Sequence, residues 1–220
     1  MTSLRPAAAA SRSGSPRIAV VDYGAGNLVS IAQGLSAVGA SVSVARRPDD
    51  LERADGLVVP GVGAAAPAMR RLERAGLRGP IVDWIASDRP FLGICLGLQL
   101  LFDGSDEDGA TTLGILRGRS VRLAGAPTLP HIGWNQVERR RDDPLFSGIA
   151  SAADMYFVHS YAGAPEPVDH AAILAETEHG SRFVSAVNRG RMWGVQFHPE
   201  RSGTDGLRLL RNFAALVAAA

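Results

Sequence analysis

The sequence predicts an α/β fold: one mostly parallel central sheet with helices on both faces, and antiparallel strands added to it. Three observations carry that expectation. Short apolar runs alternate with helical patterns through the first half of the chain. Those runs are continuous Val, Ile and Leu rather than alternating, as in strands buried on both faces. After Asp103 the helices drop out and strand follows strand, the pattern of antiparallel additions.

Arg17 to Asp22 (RIAVVD) reads as a buried strand and Asn27 to Val38 as a helix stopped by Gly39. Ser41 to Ala45 is a second strand, and Gly56 to Pro60 a third that leads into a helix from Ala64 to Ala75. Ile81 to Ser87 is a short helix, Phe91 to Ile94 a strand, and Leu96 to Phe102 a helix. Ser120 to Leu123, Trp134 to Glu138, Met155 to Val158, Ile173 to Thr177, Phe183 to Asn188 and Met192 to Phe197 read as strands, closed by a helix from Asp205 to Val217. No repeat and no linker divides the chain, so residues 17–220 are expected to form one domain. Met1 to Pro16, rich in Ala, Ser, Arg, Pro and Gly, reads as a disordered leader.

Composition excludes several functions. All 23 basic residues are Arg, with no Lys for a Walker A loop or a pyridoxal phosphate Schiff base. The net charge of +1 gives no reason to expect nucleic acid or a membrane surface as partner, and Arg70-Arg71-Arg74-Arg78 and Arg139-Arg140-Arg141 read as solvated faces. A single Cys forbids an internal disulfide. Without a signal peptide or a membrane-length apolar run, the expected location is the cytoplasm. The His and Cys spacings fit no zinc site, so no metal and no cofactor are expected. Gly24-Ala25-Gly26 begins like a dinucleotide fingerprint, but Val29 stands where its third Gly belongs, and dinucleotide binding is rejected.

The strongest local signal is Pro90-Phe-Leu-Gly-Ile-Cys-Leu-Gly-Leu-Gln-Leu-Leu-Phe102. A strand enters Cys95 and a helix leaves it, with Gly93 and Gly97 on either side, which is the Cys counterpart of the G-x-S-x-G nucleophile elbow. The turn exposes the sulfur, and the following helix points its positive end toward it, which favours a thiolate. A thiolate nucleophile needs a His and an orienting group. In Gln196-Phe-His-Pro-Glu200, Pro199 biases His198 toward extended backbone, and residues two apart then share a side, so His198 and Glu200 form the expected base and orienter. His170 and His179 read as surface residues. The backbone amide of Leu96 is one expected oxyanion donor, and Pro60-Gly-Val-Gly63 the source of a second. A cysteine-dependent enzyme that hydrolyses an amide fits these residues.

Together these segments resemble the class I glutamine amidotransferases, whose Cys elbow and His-x-Glu pair match Cys95, His198 and Glu200. Within them the likeness is finest to the glutaminases of imidazole glycerol phosphate synthase. It is carried by Asp22-Tyr-Gly-Ala-Gly-Asn-Leu28, Pro60-Gly-Val-Gly63, Gly93-Ile-Cys-Leu-Gly-Leu-Gln99, His131-Ile-Gly-Trp-Asn135, Phe157-Val-His-Ser-Tyr161 and Gln196-Phe-His-Pro-Glu200. The resemblance implies a flavodoxin-like fold, glutamine as substrate, and Val62 and Leu96 as the oxyanion amides. It implies substrate contacts from Gly63, Gln99, His159, Ser160 and Tyr161. Trp134, Asn135 and Arg201 would face a cyclase subunit in a heterodimer. Ammonia would pass to that cyclase, which makes imidazole glycerol phosphate and aminoimidazole carboxamide ribonucleotide in histidine biosynthesis. Leu98 replaces the usual Met, a volume-conserving change, and Arg201 replaces the usual Lys, which bears on the interface rather than the chemistry. The alternatives are the glutaminase of another pathway, against which the His131–Asn135 segment argues, and a non-catalytic binding module, against which the intact Cys, His and Glu argue.

Overall fold

A computed structural model describes residues 14–24, 26–164 and 170–220, so all of the expected leader except Gly14 to Pro16 lies outside the described residues. The chain runs through β1 (Arg17–Val21), α1 (Leu28–Ala37), β2 (Ser41–Ala45), β3 (Gly56–Gly61), α2 (Ala65–Arg74), α3 (Arg78–Ala86), β4 (Phe91–Cys95) and α4 (Leu96–Gln99). It continues through β5 (Gly104–Ser105), β6 (Arg119–Arg122), β7 (His131–Arg139), β8 (Ala153–His159), β9 (Tyr161–Gly163), β10 (Ile173–His179), β11 (Ser181–Arg189) and β12 (Met192–Val195), and closes on α5 (Gly203–Ala218).

The strands lie in the order β2-β1-β3-β4-β12-β11-β10-β7-β8. From β2 to β12 neighbours are parallel. From β12 to β8 they are antiparallel. A small ribbon of β5, β6 and β9 joins the sheet where β9 pairs with β11. The expected mixed sheet is therefore present, with its change of direction at β12.

Alternation along β1 builds two cores. Ile18 and Val20 face Ile31 and Leu35 of α1 and Leu210 and Phe213 of α5. Ala19 and Val21 face the opposite layer, with Leu72 of α2 and Ile81 and Trp84 of α3. Each large side chain removed from water here contributes about 1.5–3 kcal/mol. The chain leaves β1 for β2 on one side and reaches β3 on the other, so the strand order reverses at β1. In open α/β sheets the crevice beyond the carboxyl ends at such a point is the usual place for a ligand.

Two expectations need correction. The helix after Cys95 stops at Gln99 instead of reaching Phe102. Leu101 and Phe102 donate only three residues back, to Leu98 O and Gln99 O, and the carbonyls of Leu100, Phe102 and Leu101 accept from Leu113, Gly114 and Ile115, so the chain tightens and turns away. The strand expected over Met192 to Phe197 ends at Val195. β5 and β9, with two and three residues, are too short to show a period in sequence.

Candidate active site

Cys95 is the last residue of β4 and caps α4 with φ 55° and ψ −110°. This positive φ is costly for a residue with a Cβ and is sustained only where the surroundings enforce it. The glycines on either side explain how. A Cβ on Gly93 would lie 2.6 Å from the Gly97 carbonyl oxygen, and one on Gly97 would lie 1.8 Å from that of Val59. The strand and the departing turn touch backbone to backbone, and only Gly fits.

His198 and Glu200 come from the segment after β12, which lies beside β4. His198 Nδ1 is 2.8 Å from Glu200 Oε1, and both side chains are buried. The ring also hydrogen-bonds to Cys95. Burial opposes a charge on the imidazole, but the hydrogen bonds to Cys95 and Glu200 and the negative charges of both outweigh it, and the His198 pKa is pushed up to about 10. With α4 only one turn long, its dipole has little to offer the sulfur.

A cavity of about 290 Å³ opens over this group, lined among others by Val62, Gly63, Gln99, His159 and Tyr161. Leu96, Ser160, Glu200 and Arg201 also reach it. The structure thus brings together the expected nucleophile, base, orienter, oxyanion residues and substrate residues at the carboxyl ends of the strands. A cavity of about 270 Å³ at the opposite end, beside Arg89 and Arg191, is lined among the described residues by no Cys and no His. Among the described residues no group of three or more His, Cys, Asp and Glu is placed to hold a metal ion, and no helix is long and apolar enough to cross a membrane.

Three residues sit differently from expectation. His159 borders the cavity, but Nδ1 is 3.0 Å from the Tyr161 carbonyl and Nε2 is 3.1 Å from His131 Nδ1. Its ring has no free nitrogen for a substrate. Trp134 is 56% exposed, and its ring meets Tyr156, over which the Arg201 guanidinium lies at 4.1 Å. Asn135 is turned the other way, with Nδ2 donating to Glu178 O at 2.9 Å. Neighbours in a strand project to opposite faces, so Trp134 and Asn135 cannot share a surface. His179, expected on the surface, stacks on His131 with ring centroids 4.0 Å apart.

Sequence reasoning missed Gln196, which is fully buried with Nε2 3.6 Å from Cys95 Sγ. Its spacing of two from His198 was the available signal.

Comparison with known proteins agrees with this geometry. Residues 19–217 match the family model described as glutamine amidotransferase class-I. The chain is 48% identical over 202 residues to the imidazole glycerol phosphate synthase subunit HisH of Symbiobacterium thermophilum, covering 91% of this chain and 94% of that protein. It is 48% identical over 211 residues to the subunit of the same name from Synechococcus elongatus, covering 94% and 96%. The fold is similar to that of a glutamine amidotransferase from Thermotoga maritima, with a TM-score of 0.66 at 18% identity over 94% of this chain and 99% of that one. With its elbow, its His-Glu pair and these relatives, the chain belongs to the class-I glutamine amidotransferases, among the HisH subunits of imidazole glycerol phosphate synthase.

Proposed function

We propose that the chain hydrolyses glutamine and delivers the ammonia to a cyclase subunit in histidine biosynthesis. The observation that carries this reading is the meeting of Cys95, His198 and Glu200 at one cavity, from positions far apart in sequence. Cys95 Sγ attacks the glutamine carboxamide carbon, forming a C–S bond and an oxyanion. Leu96 donates its backbone N–H to that oxyanion, and Val62 gives a second donor from the loop after β3. His198 passes a proton to the nitrogen, the C–N bond breaks, and ammonia leaves. Water then attacks the thioester carbon while His198 takes its proton, and glutamate departs with the thiolate restored. Gly63, Gln99 and the backbone of Ser160 and Tyr161 hold the substrate around the reacting carbon.

The cyclase docks over the mouth of this cavity. Val62, Ile132 and Trp134 are 48%, 59% and 56% exposed and apolar, and Arg201 stands beside them at the cavity rim. Exposed aromatic and Arg side chains of this kind anchor protein interfaces. The leading test is glutamine hydrolysis by the parent and by Cys95→Ala, alone, with the cyclase, and with the cyclase and its nucleotide. The parent rate is expected to rise with each addition, because Gly61, with no side chain, lets the Gly61–Val62 peptide turn cheaply and so make or unmake the Val62 N–H donor. Such a donor is worth a factor of about 10²–10³. Cys95→Ala is expected to hydrolyse nothing in any mixture and still to support the cyclase when ammonium salt is supplied. A Cys95→Ala rate near the parent's would refute the assignment.

A further inference from the structure

We propose that Gln196 is a positioning residue for the nucleophile, its carboxamide holding Cys95 Sγ, and that two runs of hydrogen bonds meeting on the Tyr161 carbonyl, one from Gln99 and one from β7, lock that carboxamide in place. The directions follow from two carbonyl oxygens, which can only accept. Tyr161 O lies 2.7 Å from Gln99 Nε2 and 3.0 Å from His159 Nδ1, so both must be donors. Gln99 Nε2 also lies 3.1 Å from Gln196 Oε1. That leaves Gln196 Nε2 to face the sulfur at 3.6 Å. The reversed carboxamide would set N–H against N–H at Gln99 and an oxygen lone pair against those of the sulfur.

The other half of the chain is equally determined. With a proton on Nδ1, His159 accepts at Nε2 from His131 Nδ1, 3.1 Å away. His131 then accepts at Nε2 from Asn135 Nδ2 at 3.2 Å, an amide that also donates to Glu178 O at 2.9 Å. The two rings meet because His131 and His159 are directly opposed in the antiparallel β7–β8 pair. Protonating either ring would oppose two donors and break the chain. Burial keeps both rings neutral, with the His131 pKa lowered to about 4 and that of His159 to about 3. The groups that act on Sγ are Gln196, the Val158 carbonyl oxygen at 4.0 Å, His198 backed by Glu200, and the Tyr23 hydroxyl.

The inference rests on the glutaminase reading for its rate measurements, whereas alkylation of Cys95 reads the sulfur directly. Gln196→Met keeps the volume and removes the donor. In the full chain with its cyclase, kcat is expected to fall roughly tenfold or more with KM within about twofold, the loss of one hydrogen bond to a charged group. The pH profile for iodoacetamide alkylation of Cys95 is expected to move to higher pH, and further in Gln196→Glu, which sets a carboxylate against the sulfur. Asn135→Leu, at the far end of the chain, is expected to move the profile in the same direction by less. Parent-like kcat and an unmoved alkylation profile in folded Gln196→Met would overturn the proposal. Should that variant fail to fold, an unmoved profile in both Gln99→Met and Asn135→Leu would do so. A shifted profile in a chain that hydrolyses no glutamine would keep the proposal and refute only the glutaminase reading.

Discussion

Tyr23 and Glu200 both bury an oxygen that finds no hydrogen-bond partner among the described residues, Oη in one and Oε2 in the other. The consequences differ because Glu200 keeps a second oxygen on His198. Tyr23 has only its hydroxyl, wedged beneath the loop after β3 where a Cβ on Gly61 would lie 2.1 Å from it. A buried hydroxyl without a partner costs about 1–3 kcal/mol of lost solvation. Tyr23→Phe is therefore expected to leave the isolated chain as stable as the parent or more stable by about 1 kcal/mol, seen as an equal or higher urea midpoint. A midpoint well below the parent's would mean that the hydroxyl is bonded in solution. At Glu200 the carboxylate orients the imidazole and stabilises its charge, while His198 itself carries the proton. Glutaminase assays in the presence of the cyclase should then rank kcat as parent, Glu200→Gln and His198→Ala in descending order, and equal losses in the two variants would refute this division of roles.

The elbow is the element where sequence spoke most plainly, because its constraint is local. A Cys at φ 55° between two contacts that exclude a Cβ can be inferred from G-x-C-x-G alone. Gly97→Ala must push the turn off β3, since the new methyl would meet the Val59 carbonyl oxygen. It is expected to cost about 1–3 kcal/mol or more by overpacking and to lose glutaminase activity with it. Gly79→Ala, in α3 with nothing within 4 Å of its Cβ, is the control and is expected to stabilise by about 0.4–1 kcal/mol. Chemical denaturation of both variants checks the pair, and a neutral Gly97→Ala would show that the elbow yields. What stayed hidden in sequence was set by partners distant along the chain. α4 ends early where the carbonyls of Leu100, Leu101 and Phe102 pair with residues 113–115 rather than continuing a helical ladder. Asn135 points inward because β7 lies between β8 and β10. Gln196 was legible only as one more residue on the His198 side of an extended segment, since its partners Cys95 and Gln99 come from β4 and α4.

The whole molecule holds its histidines in opposite charge states, and this shapes how stability depends on pH. His131 and His159 are kept neutral by burial among Phe157, Phe183 and one another, with pKa values lowered to about 4 and about 3. An unfolded chain binds protons on both near pH 6.5. Their contribution is fully present above that pH and is lost as the pH falls from about 6.5 toward 4 and 3, because the unfolded state takes up protons that the folded state refuses. His198 runs the other way, since its pKa is raised to about 10. Its contribution is fully present below about pH 6.5 and is lost as the pH rises through about 10. Between about pH 6.5 and 5 carboxylates are still ionised, so the histidines dominate the slope there. Urea midpoints of the parent are expected to fall across that window. In His131→Phe, which keeps a ring on Phe157 and His179 and removes one of the two titrating groups, the fall should be about half as steep. His198→Ala should leave this acid slope unchanged, because its linkage lies on the alkaline side. An acid slope equally steep in parent and His131→Phe would mean that His131 is protonated in the folded chain, and the hydrogen-bond chain from Asn135 to the sulfur would then lack its middle link.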